Sequence, residues 1–120
     1  MHFIVHVLSF APITRSKLEQ IMAPFDEYRV FKDVNEDTEE WLPVPRPQFT
    51  WDYYTIHNEI QWKKPADCFA LIAPDGYCIA RKWWDGRVRV DREKEFDRYC
   101  QDNEDKWAGK AYMVEVDCHN

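Results

Sequence analysis

The first ten positions leave no polar face. Phe3, Val5 and Val7 fall on one side of an extended chain and Ile4, His6 and Leu8 on the other. Residues 2–10 therefore predict a strand buried on both faces, in the middle of a sheet, and Pro12 ends it. The period then lengthens. Leu18, Ile21, Met22 and Phe25 recur at helical spacing, which predicts an amphipathic helix over about residues 15–23. Ser16-x-x-Glu19 reads as its capping box and Pro24 as its boundary. Alternation returns at residues 28–34, where Tyr28, Val30 and Lys32 oppose Phe31, a second predicted strand. An acidic loop at 33–40 and an extended stretch through Pro43, Pro45 and Pro47 follow.

Residues 67–73 form an apolar run, Pro74-Asp75-Gly76 a turn, and residues 77–83 a return strand. Asp85-Gly86 is a second turn and residues 87–90 a third strand, which together predict a three-stranded meander. Asp91 caps a helix running to about Lys106 with Phe96, Tyr99 and Cys100 on its buried face, and Gly109 ends it. Residues 111–118 are the last strand, with Tyr112, Val114 and Val116 on one face. The order β-α-β, long loop, β-β-β, α, β predicts an α+β fold: a single antiparallel or mixed sheet of about five or six strands with two main helices on one face. A chain of 120 residues makes residues 1–120 one domain, large enough to close its own core.

Composition narrows the function classes. Nineteen aromatic residues (six Trp, six Tyr, seven Phe) argue for a ring-packed core or a ring-lined surface. The formal charge of -6 disfavours general nucleic-acid binding, which draws its affinity from phosphate contacts. No apolar run approaches the roughly 20 residues of a membrane span. The N-terminus lacks a basic region and a cleavage site, and reads as a strand rather than a leader. Cys68, Cys78, Cys100 and Cys118 contain no C-x-x-C pair, which excludes a zinc ribbon and predicts free thiols in a reducing compartment. No cofactor motif occurs, and none is expected.

Several constellations are competent for chemistry. If the first and last strands pair antiparallel, His2 lies near His119, and Asp117, Cys118 and His119 are all possible metal ligands. Asp117 and His119 share a strand face while Cys118 points away, so one ion would not take all three. The same residues equally make a polar strand end that fixes pairing. Cys118 as a nucleophile would need a base from His2, His6 or His119; a buried thiol is its ordinary alternative. Trp51, Asp52, Tyr53 and Tyr54, with His57 and Trp62, could hold a flat base, a sugar or a cationic side chain, or simply pack a core. The cations Arg81, Lys82, Arg87 and Arg89 interleave with Trp83 and Trp84, a nucleotide-phosphate patch or a solvated sheet face. Glu36, Asp37, Glu39 and Glu40, beside Trp41, form an acidic surface able to meet a basic groove on a partner, or a plain solvated loop.

The spacing of short anchors adds a resemblance. His2-Phe3, Leu18 through Met22-Ala23-Pro24-Phe25-Asp26-Glu27, Trp51-Asp52-Tyr53-Tyr54-Thr55-Ile56 and Val116-Asp117-Cys118-His119 occur in the order found in a family of small uncharacterised bacteriophage and prophage proteins, which this chain resembles over nearly its whole length. In that family Gly-Gly-Arg-Trp follows the W-D-W/Y-Y/W-x-I segment; here His57-Asn58-Glu59-Ile60 stands in its place. The resemblance implies a phage or prophage origin and action in the host cytoplasm, and it implies no activity. With no catalytic set recognisable, the chain is expected to be a non-catalytic accessory protein that binds a host protein, such as one of a defence system. The alternative is a small-molecule or nucleotide binder built around Trp51–His57. Unpaired edge strands would leave a homodimer open.

Overall fold

The computed structural model describes residues 1–27, 48–61, 68–85 and 88–120. The strand expected at 28–34, the acidic surface Glu36, Asp37, Glu39, Glu40 and Trp41, the proline stretch, Trp62, Gly86 and Arg87, and the side chain of His57, lie outside the described residues.

The chain runs β1 (His2–Ser9), α1 (Arg15–Met22), a 3-10 turn (Ala23–Phe25), β2 (Tyr53–Gln61), β3 (Ala70–Ile72), β4 (Cys78–Ala80), β5 (Lys82–Asp85), β6 (Val88–Asp91), α2 (Glu93–Trp107) and β7 (Tyr112–His119). Five strands form one mixed sheet in the order β2-β7-β1-β3-β4, and β5-β6 is a separate two-stranded ribbon. This is an α+β fold. β1 pairs antiparallel with β7 along its whole length and parallel with β3, while β7 pairs antiparallel with β2. β1 has a neighbour on both sides, and its two apolar faces are both used.

Those faces carry separate cores. Phe3, Val5 and Val7 pack with Leu18 and Met22 of α1 and with Val114, Val116 and Cys118 of β7. Leu8 packs on the other face with Leu71, Ile79 and Ala111 and with Phe96, Cys100 and Trp107 of α2. The two helices therefore cover opposite faces of the sheet, not the single face expected. The reason lies in the strands: β1 and β3 are apolar on both sides, and one layer of helix would leave half of that surface in water.

Caps and turns are set by local chemistry. Thr14, not Ser16, caps α1: its Oγ1 accepts from Lys17 N at 3.1 Å, and Glu19 turns to Arg15 instead. Asp91 Oδ1 accepts from Glu93 N at the start of α2. Gly76, at φ +91°, closes the β3–β4 turn, with Gly76 N donating to Ala73 O and Ala73 N to Tyr77 O. The expected meander breaks at Arg81, whose side chain turns inward. Its Nε donates to Cys68 O at 2.8 Å and its guanidinium lies 4.1 Å over the Phe96 ring. The chain beyond Arg81 then forms the ribbon in place of a further strand of the main sheet. Among the described residues no helix is long and apolar enough to cross a membrane.

Candidate functional site

Pairing of β1, β7 and β2 brings three strand ends into one row. His2 stands opposite His119, and His119 opposite Tyr53. Directly opposed residues in adjacent strands share a face, so both imidazoles and the phenol lie together. Asp117, two positions before His119, is on that face too. His2 Nδ1 lies 3.0 Å from Asp117 Oδ1. Asp52, just before β2, grips His119 twice: its backbone N–H donates to His119 O at 2.8 Å, and its Oδ1 lies 2.8 Å from His119 Nδ1.

Two imidazole–carboxylate pairs thus stand side by side. The His2 and His119 rings are 4.9 Å apart at 67°, and Tyr53 stacks on His119 at 4.6 Å and 13°. Tyr53 remains half exposed (51%). The hydrogen bond from His119 holds the Asp52 carboxyl below its usual value. An ionised carboxylate only accepts, so Nδ1 of His119 carries the proton and the lone pair of its neutral ring sits on Nε2. His2 Nδ1, facing Asp117 Oδ1, likewise serves as the donor of its ring.

The two sequence clusters therefore merge in part. Asp52 and Tyr53 join His2, Asp117 and His119, a union across 50 to 67 positions of chain that local spacing could not reveal. Trp51 and Tyr54 go to the opposite face. Trp51 Nε1 donates to Met22 O at 2.9 Å, closing the end of α1, and its ring meets Tyr54 edge-on at 4.8 Å. Tyr54 instead lines an open groove of about 590 Å³ between α1 and β2, with Ile13, Leu18, Ile56 and Val114 below and Arg15 and Glu19 at the rim. Burial, and the charge of Glu19, raise the Tyr54 hydroxyl above its ordinary pKa.

Cys118 points into the core as alternation required, with no exposed surface. Burial first, and Asp117 second, push its thiol up to about 12, which removes the thiolate a nucleophile needs. Among the described residues no group of three or more His, Cys, Asp or Glu is arranged to hold a metal ion. In the basic stretch, Arg81 pairs with Asp97 at 3.1 Å and Lys82 with Glu93 at 3.5 Å, so these two cations are engaged within the fold. No family model matches the chain, and neither curated proteins nor solved structures show significant similarity to it.

Proposed function

We propose that the protein is a phage or prophage accessory protein that binds a host protein in the host cytoplasm without catalysis, with the strand-end cluster as part of its contact surface. One observation carries this reading: Tyr53 is half exposed yet fixed, stacked on an imidazole that Asp52 holds in place. A rigid, exposed aromatic ring loses little conformational entropy when a partner covers it, and Tyr is a frequent anchor of protein interfaces. The buried thiols support a non-catalytic role, since burial pushes Cys78, like Cys118, up to about 12.

The test is quantitative co-purification from a bacterial lysate with three baits: wild type, Tyr53→Ala, and Glu95→Ala on the exposed side of α2. The reading expects one host protein that Tyr53→Ala loses and Glu95→Ala keeps. A partner retained equally by all three baits would move the contact surface elsewhere.

The α1–β2 groove favours a second reading, a small-molecule or nucleotide binder. Tyr54 offers it an aromatic wall, and Arg15 a cation at the rim. Such a ligand would raise the melting temperature with its concentration, as mass action requires, and Arg15→Ala would reduce the rise.

A further inference from the structure

We propose that His2 and His119 together bind one divalent transition-metal ion of the imidazole-preferring kind through their Nε2 atoms, with Asp117 and Asp52 acting one shell further out. This goes beyond the partner-binding reading and does not depend on it.

Three observations converge. The first is orientation. Each ring is held through Nδ1 by a carboxylate, at 3.0 Å for His2 and 2.8 Å for His119. Metal-ligating histidines ordinarily give their second nitrogen to such a partner, which fixes the tautomer and makes the ligating nitrogen more basic. A carboxylate oxygen accepts, so the Nδ1 facing Asp52 donates and the His119 lone pair is on Nε2, where a metal would take it. The second is availability. Neither Nε2 has a hydrogen-bond partner among the described residues, and the side chains are 59% and 30% exposed.

The third is spacing. Two imidazoles sharing one ion at ~2.0–2.1 Å per bond and ordinary coordination angles hold their ring centroids roughly 4.5–5.2 Å apart. The His2 and His119 centroids are 4.9 Å apart, across directly opposed positions of β1 and β7. The two neighbouring carboxylates match the ion's two positive charges without ligating it, which is why no three-ligand group marks the site. Imidazole donors select Zn²⁺, Cu²⁺ or Ni²⁺ over the oxygen-preferring Mg²⁺ and Ca²⁺. Water completes the coordination.

The experiment titrates the whole chain, untagged and stripped with chelator, with Zn²⁺ in a calorimeter, and follows the imidazole nitrogens by ¹⁵N NMR in parallel. The proposal expects one ion per chain and Zn²⁺-induced shifts at Nε2 of two rings only, His2 and His119. His2→Ala and His119→Ala should each weaken binding at least about tenfold, and Asp52→Asn and Asp117→Asn by about 10- to 100-fold, the usual effect of losing an outer-sphere partner. Cys118→Ser should bind like wild type. The wild-type NMR readout stands even if a variant folds poorly. Absence of saturable binding below millimolar Zn²⁺, unshifted His2 and His119 nitrogens, or undiminished binding by folded His2→Ala and His119→Ala would each overturn the proposal.

Discussion

Arg81 shows how one side chain can decide where a sheet ends. Its Nε caps Cys68 O, its plane lies on Phe96, and its terminal nitrogen reaches the exposed Asp97. The last contact is worth little in water, but a charged hydrogen bond and a desolvated stack together contribute about 2–3 kcal/mol. Arg81→Met should lower unfolding stability by about that amount in urea titration, and Arg81→Lys should recover only a minor part, because ammonium lacks the flat fork. Asp97→Ala should cost under about 1 kcal/mol. At this scale the sequence was partly readable. Strand alternation put Asp117 and His119 on one face and Cys118 on the other, and the antiparallel pairing of β1 with β7 that would bring His2 to His119 is the one the structure has. Nothing local pointed to Asp52 as the partner of His119, since that contact needs β2 to pair with β7. Nor could a row of cations reveal that Arg81 is turned inward.

Among the elements, the helices were the most legible and β2 the least. α1 and α2 carry their apolar residues at helical spacing and end on clear signals. The cap of α1 is the exception. Thr14 rather than Ser16 satisfies the free backbone N–H, so Thr14→Ala should destabilise by about 1 kcal/mol while Ser16→Ala should stay within about 0.5 kcal/mol, read by thermal or chemical unfolding. β2 is illegible because Tyr53–Gln61 mixes aromatic, polar and charged residues with no clean alternation, and its pairing with β7 slips between Ile56 and Asn58. A bulge of this kind shifts the periodicity midway and erases the pattern on which strand recognition rests. The apolar run at 67–73 shortens to Ala70–Ile72.

At the scale of the whole molecule, packing withdraws two thiols and a phenol from water, wholly for Cys118 and in part for Cys78 and Tyr99. Burial raises Cys78, Cys118 and Tyr99 to about 12 each, from ordinary values of 9.0 for the thiols and 10.0 for the phenol. A raised folded-state pKa means that the neutral form is favoured by folding. The associated stability is complete below the unfolded-state value and is lost as pH rises through the folded one. The melting temperature should therefore fall progressively between about pH 9 and 12. Cys118→Ser and Cys78→Ser should each flatten part of that decline. At pH 8 a thiol reagent should leave Cys118 unmodified until the chain unfolds. The two-faced core also follows from the sheet: with α2 on the side of Leu8 and Leu71, Phe96→Ala should cost about 3–5 kcal/mol, as for any buried ring removed from a packed core.

β7 follows the other described strands in chain order, yet it lies between β2 and β1 and bonds to both. Without residues 112–119 one edge of β1 is bare and β2 has no partner in the main sheet, so the sheet lacks an inner strand and not an edge. A chain without that strand should accept it from outside. A fragment ending at Lys110 should remain unfolded alone, then gain ordered β signal when a synthetic peptide spanning residues 111–120 is added, a complementation that circular dichroism would record.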